Sequence, residues 1–207
     1  MIDDPSTALV EGASAEAQDL LDTYTSFRLA ADLSALSEQE KQMIPLLIDA
    51  AQAMDAVFWV QAYGNRDSLL DAIDDPGLRR YAEINYGPWD RLDANRPFIA
   101  GVGAKPAGAN FYPADMTKET FEAAAEQNPA LRDLYTMVRY DEDGNLVAVP
   151  YHEFFYDAMH EAAGTLREAA ALAEDPGLRR YLELRADALT TGDYQPSDLA
   201  WMDMKDN

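Results

Sequence analysis

The sequence predicts a mainly α-helical chain with one small β-hairpin. Three observations carry this: apolar residues recur every three or four positions over most of the chain, helix-start signals punctuate it, and only one stretch alternates across a tight turn. The 48% hydrophobic and 10% aromatic content supplies enough apolar surface for a core. At 207 residues, that core suits a single domain or one lobe of a larger protein.

Residues 1–13 read as a flexible tail and 14–86 as helical. From Ser14 to about Leu33, the residues Ala17, Leu20, Leu21, Tyr24, Phe27 and Ala31 predict an amphipathic helix. Ser37-Glu38-Gln39-Glu40 is a capping box, and Met43, Leu47, Ala50, Ala51, Met54, Val57, Phe58 and Gln61 extend an apolar stripe to Gly64. Pro45 inside that stripe predicts a kink or a restart. Asp74–Tyr81 and Glu174–Tyr181 share the words Asp-Pro-Gly-Leu-Arg-Arg-Tyr, where Asp caps the helix and Pro takes its first position. Nothing longer repeats, so the match reads as two uses of one helix-start solution.

Residues 87–117 hold four Gly, four Pro, Trp89, Phe98, Phe111 and Tyr112, without periodicity, and read as a long ordered loop. Short helices follow over 118–134, opened by Thr117 and by Asn128-Pro129. The hairpin spans 135–150, with its turn at Asp141–Asn145. Residues 151–207 are helical again, with breaks near Pro176 and Gly192-Asp193.

Acids outnumber bases 38 to 16, giving a net charge of −22 that spreads through every segment. Nucleic acid and anionic membrane are thereby disfavoured as partners, whereas a peptide amine or a cation would be attracted. With no Cys, disulfides, thiolate catalysis and Cys-bound zinc are excluded. The start lacks a signal-peptide pattern, and no apolar run suggests a membrane span, so the expected setting is soluble, cytoplasmic or periplasmic.

Short motifs carry little. Gly101, Gly103 and Gly108 fit neither GxGxxG nor a P-loop, since Ala109-Asn110 stands where Lys and Ser or Thr belong and Pro106 removes an amide. Asp141, Asp143 and Asn145 open like a calcium loop, but His152 occupies the position of its last acid. His160-Glu161-Ala162-Ala163-Gly164-Thr165 is one residue short of HExxGH, and Glu183 lies in a segment of the type that supplies a third zinc ligand. His160 and Glu183 make only two ligands, so the minimal zinc site is the weak alternative to two polar helix-face residues.

The stretch NYGPWDRLDANRPFIAGVGAKPAGANFYPADMTKETFE, residues 85–122, resembles the N-terminal lobe of the bacterial and plant proteins related to dipeptidyl-peptidase III. VRYDEDGNLVAVPY (138–151), LREAAALAEDPGLRRYLELRADAL (166–189) and DYQPSDLAWMDMKDN (193–207) follow in the same order. The resemblance implies the helical lobe of a two-lobed zinc peptidase that removes dipeptides from peptide N-termini. It also implies that zinc is held by the other lobe, downstream of Asn207, so this chain carries no catalytic or metal residue and needs that missing catalytic lobe and a peptide substrate as partners. The candidates for facing the substrate cleft are Asn85, Tyr86, Asp90, Arg91, Asn95, Arg96 and Asn110. The rival reading is a stand-alone helical binding module, in which the same polar residues tie down the loop.

Overall fold

A computed structural model describes residues 10–204. The first nine residues of the expected tail, and 205–207 at the other end, lie outside the described residues. The fold is mainly helical, with two antiparallel two-stranded ladders, and the chain divides into two compact units.

The first unit comprises the described residues through Ala31 together with Trp59–Asn110. Helix α1 (Ala15–Leu21) opens at Ser14, whose Oγ accepts from the Ala17 amide. It ends well before Leu33. The Thr23 hydroxyl donates to the Leu20 carbonyl at 2.7 Å and the Tyr24 amide to the Leu21 carbonyl at 2.9 Å, so the last carbonyls are satisfied by a turn. Thr23, Thr25 and Ser26 favour that local bonding over another helical turn. Tyr24 then meets Tyr81 edge-on, with ring centroids 5.7 Å apart.

Helices α3 (Arg66–Asp71) and α4 (Pro76–Asn85) surround a core of Trp59, Leu69, Leu70, Ile73 and Ala82, joined by Tyr63, Leu78, Tyr86, Phe98 and Ile99. Asp75 makes the α4 start: its Oδ1 accepts from the Gly77 amide at 2.7 Å and the Leu78 amide at 3.2 Å, while Oδ2 accepts from the Ser14 amide at 3.0 Å. One carboxylate therefore caps α4 and ties α1 to it. Hydrogen bonds from Ser14, and then those from the Leu78 and Gly77 amides, hold the Asp75 carboxyl below its ordinary pKa. A depressed carboxyl contributes stability above its unfolded pKa and loses it as pH falls through the folded value. Acid titration of stability should therefore flatten below the ordinary Asp range in Asp75→Asn relative to the parent, measured by urea midpoints across pH.

The second unit comprises Asp32–Phe58 and the described residues from Phe111 onward. Helix α2 (Glu38–Ala62) begins with the expected box: the Ser37 amide donates to Glu40 Oε2 at 2.7 Å, and the Glu40 amide to Ser37 Oγ at 3.1 Å. The helix runs through Pro45 without restarting; Pro45 lies in its second turn, where little of the hydrogen-bond ladder precedes it. By length and composition α2 is long and apolar enough to cross a membrane. Asp49 and Asp55 sit within it, each unfavourable at a bilayer centre by about 3 kcal/mol. Its Met43, with Leu46 and Leu47, packs against Ala169, Ala170, Ala173 and Leu182.

Helix α5 (Lys118–Gln127) is capped by Thr117, and a 3₁₀ turn at Pro129–Arg132 by Asn128. Strands β3 (Thr136–Tyr140) and β4 (Leu146–Pro150) pair antiparallel, with Met137 opposite Val149 and Arg139 opposite Val147. Val138 and Leu146 bury against Ala125 and Leu131, with Tyr112, Met116 and Phe121 around them. Helices α6 (Tyr151–Phe154) and α7 (Tyr156–Leu172) are separated at Phe155, whose backbone leaves the helical region. Helix α8 (Pro176–Thr191) ends on Gly192 in the left-handed region, and α9 (Gln195–Asp203) follows. Buried Ala162, Ala163, Ala169, Ala170, Ala186 and Ala188 let α7 and α8 approach closely.

The repeated heptapeptide builds the same local device twice. Asp75 and Asp175 each cap their helix, and Arg79 and Arg179 each donate Nη2, at 2.7 Å, to the carbonyl six residues upstream, Ile73 and Ala173.

Candidate functional site

The glycine- and proline-rich stretch is divided between the units, 87–110 in the first and 111–117 in the second. In the first, strands β1 (Trp89–Asp90) and β2 (Arg96–Pro97) pair antiparallel, closing a turn in which Ala94 and Asn95 both have positive φ. The Trp89 indole is buried and donates to the Gly103 carbonyl at 2.9 Å. Phe98 packs edge-on against Tyr81 at 4.8 Å. These anchors hold a backbone that lacks long ladders, and the aromatic content of the sequence was the signal for them. Gly87 is required by φ 149°, and a Cβ there would also lie 3.3 Å from Trp89.

The seven polar candidates separate by burial. Asn85, 2% exposed, is the hub: Oδ1 accepts from the Arg91 amide at 3.0 Å and the Tyr24 hydroxyl at 3.2 Å, and Nδ2 donates to the Tyr81 carbonyl at 3.0 Å. Asp90, 7% exposed, accepts the Leu92 amide on Oδ1 at 2.8 Å, and its carbonyl takes the Asn95 amide at 2.8 Å. Tyr86 sits at φ 53° where α4 ends, its ring 5.1 Å from Trp59. Asn110 donates Nδ2 to the Val60 carbonyl at 2.7 Å and its amide to the Gln61 carbonyl at 3.0 Å, pinning the far end of the segment to the end of α2.

Arg91, Asn95 and Arg96 are exposed. The Arg91 guanidinium lies over Tyr86 at 5.4 Å, and Arg96 pairs with Asp93 at 2.7 Å. Lys105, absent from the sequence candidates, joins them: its Nζ lies 3.5 Å from Asn95 Oδ1 and 5.8 Å above the Trp89 ring. Burial, and then the nearby Arg91 charge, lower its pKa. Beneath this surface the Tyr81 hydroxyl is enclosed; burial raises its pKa, Thr23 opposes the rise and the Asp90 carboxylate adds to it. The segment thus presents a small basic surface on an acidic chain, over a buried polar floor.

The residues of the near-zinc motif do not fit a metal. His160 is exposed, its Nδ1 is 2.9 Å from the Tyr156 carbonyl, and its ring stacks on Tyr156 at 3.8 Å. Glu183 is exposed on α8 beside Arg180 and Asp187. Among the described residues no group of three or more His, Cys, Asp or Glu is placed to hold an ion.

A second surface feature escaped the sequence reading. On α9, Leu199, Trp201 and Met202 are 55%, 61% and 71% exposed, beside a cavity of about 400 Å³ lined by Tyr181, Arg185, Asp198, Trp201 and Met202. Arg185 is sandwiched between the Tyr181 and Tyr194 rings, 5.5 Å from each, and its Nη2 bonds Asp198 at 2.7 Å. Its small residues, Ser197 and Ala200, are buried while the large apolar ones stay outside, so apolar spacing in the sequence offered no signal for it.

No protein-family model matches the chain. It is similar to the solved structure of dipeptidyl-peptidase III from Caldithrix abyssi, with 38% identity and a TM-score of 0.86 over 92% of this chain and 38% of that one. It is likewise similar to dipeptidyl-peptidase III from Corallococcus sp. strain EGB, at 36% identity and a TM-score of 0.84 over 91% of this chain and 37% of that one. Among curated proteins it matches Nudix hydrolase 3 of Arabidopsis thaliana, more distantly, at 26% identity over 94% of this chain and 33% of that protein. The chain therefore spans about a third of the length of each relative, and it has the fold of part of a dipeptidyl-peptidase III.

Proposed function

We propose that this dipeptidyl-peptidase III-like lobe forms one wall of a peptide-binding cleft, with the zinc and the hydrolytic chemistry belonging to the remainder of a peptidase of that type. The observation that carries the reading is the pair of matches at 36–38% identity and TM-scores of 0.84–0.86 over nine-tenths of the chain. Identity at that level with so close a backbone match supports a shared role as well as a shared fold.

Local chemistry supports it too. A net charge of −22 favours approach of a protonated peptide N-terminus. Within the first unit, the anchored segment 87–110 offers Arg91, Asn95, Arg96 and Lys105 on a rigid base, donors suited to the carbonyl and carboxylate oxygens of a peptide.

Two measurements test the reading. The 207-residue chain should hold sub-stoichiometric zinc by elemental analysis and release no dipeptide from a dipeptidyl-arylamide, and His160→Ala should change neither zinc content nor stability beyond about 0.5 kcal/mol. Substituted for its counterpart in the Caldithrix abyssi enzyme, the chain should sustain dipeptide release. Stoichiometric zinc with turnover by these residues alone would sink the proposal, as would a folded chimera that binds zinc but no peptide.

A further inference from the structure

Lys105 is a cation fixed in place without a carboxylate. Its Nζ lies 3.5 Å from Asn95 Oδ1 and 5.8 Å from the centre of the Trp89 ring, all within the first unit. Two residues before it, the Gly103 carbonyl accepts the Trp89 indole N–H at 2.9 Å; just after it, the Ala109 amide donates to the Pro106 carbonyl at 2.9 Å. The backbone is thus held on both sides, and the side chain is partly buried. Other cations of the unit are neutralised: Arg66 and Arg80 reach Glu83 at 3.5 and 3.1 Å, and Arg96 reaches Asp93 at 2.7 Å. Lys105 makes no ion pair among the described residues, on a chain with 38 acids. Burial and then the Arg91 charge push its pKa down, so its charged form is the one left without support.

An ammonium has three N–H donors and no acceptor. Asn95 Oδ1 engages one, at the long end of the hydrogen-bond range, and the Trp89 face attracts the charge without a directed bond. Two donors remain for a ligand. The Arg91 guanidinium, laid over the Tyr86 ring at 5.4 Å, brings a second cation from the adjoining turn. Two positive groups on separate anchors repel one another, and an oxyanion bound by both removes the repulsion and meets the donors. Net charge then selects among oxyanions. At −22 the chain repels a phosphate dianion more strongly than a zwitterionic peptide, whose protonated amine offsets its carboxylate.

We propose that Lys105, together with Arg91, binds the C-terminal carboxylate of a short peptide, and so favours substrates that end at this surface. The inference deepens the reading of this lobe as one wall of a peptide cleft and rests on it. A peptide that is amidated, or that runs on past the site, offers a neutral carbonyl in place of the carboxylate and forfeits the charge-assisted bonds.

The test uses the 207-residue chain with its lysines reductively dimethylated with labelled formaldehyde, which keeps their charge, and reads them by NMR. The lysines are Lys41, Lys105, Lys118 and Lys205, so Lys105→Met assigns the Lys105 signal by its loss. Tetra-alanine with a free C-terminus should move that signal and raise the pH at which it titrates. Calorimetry on the unmodified chain should give the C-terminal amide a Kd about tenfold higher, and Lys105→Met should bring the free acid to the same Kd. The substitution should leave the Tm within about 1 °C, since no carboxylate in the described chain loses a partner. A Lys105 signal unmoved by the free acid overturns the site. Equal affinity for acid and amide, or inorganic phosphate binding as tightly as the free acid, overturns the assignment to a peptide C-terminus. Each of these leaves the lobe reading standing, which fails separately, through zinc and turnover in this chain alone.

Discussion

Asn85→Ala should destabilise the first unit by about 2–4 kcal/mol, the largest single-residue effect expected here. The side chain is nearly inaccessible and makes three hydrogen bonds, to the Arg91 amide, the Tyr24 hydroxyl and the Tyr81 carbonyl. Alanine leaves the Arg91 amide and the Tyr24 hydroxyl without their acceptor, and water has little access to replace it. The three bonds link the α4 end, the α1 exit and the start of the β1–β2 turn, so the damage should spread to the glycine-rich segment. Urea unfolding followed by Trp fluorescence measures the first effect. Exchange of amides 89–103 measures the second, and unchanged exchange there would show that Trp89 and Phe98 alone hold the segment. Asn85→Asp should restore only part of the loss, since a carboxylate accepts the two donors but cannot donate to Tyr81.

Gly77→Ala should cost about 1–3 kcal/mol, while Gly177→Ala, in an identical heptapeptide, should stay within about 1 kcal/mol of the parent. A Cβ at Gly77 would lie 2.7 Å from the Ala13 Cβ and 2.8 Å from the Ala17 Cβ, and neither methyl can move without its backbone. At Gly177 the added carbon meets Asp175 Oδ1 at 3.0 Å and Met204 Cγ at 3.3 Å; the Met side chain can swing aside. Alanine also loses less backbone entropy than glycine in a helix, which offsets part of any crowding at Gly177. Paired thermal melts of the two variants check this. Equal losses would mean that the glycines serve the helix start itself and not the approach of α1.

The local rules read well from sequence wherever a helix start depended on its own residues. Ser14, Asp75, Thr117, Asn128 and Asp175 cap as their side chains dictate, and Ser37 with Glu40 forms both bonds of its box. The hairpin register follows from its alternation and its five-residue turn. The reach of the first helix did not read correctly. Phe27 and Ala31 continue a four-residue spacing and Phe27, Leu29, Ala31 and Leu33 a two-residue one, so periodicity alone could not choose. Hydrogen bonding at Thr23 and the inward turn of Tyr24 chose.

The candidate site shows the same division. Sequence placed seven polar residues in or beside one glycine-rich segment, but their chemistry depends on burial, which comes from contacts distant in the chain. Tyr24, 61 residues from Asn85, makes that side chain part of a buried network, and α2 carbonyls occupy Asn110. Arg91, Asn95 and Arg96 stay outside, and Lys105 joins them over the face of Trp89. Trp201 could not be singled out among three tryptophans until Trp59 and Trp89 proved buried.

By itself, then, the sequence determined the helical class, the cap positions, the hairpin, the acidic surface and the likeness to a peptidase lobe, because each depends on residues near one another in the chain or on a long run of their order. The tertiary structure alone decided which polar groups are structural and which face solvent, which of two glycines in identical heptapeptides is hemmed in by neighbouring methyls, and where apolar side chains remain uncovered. Those outcomes depend on which surfaces meet across tens of residues, and burial sets whether a given amide, carboxylate or ring is paired, charged or free to bind.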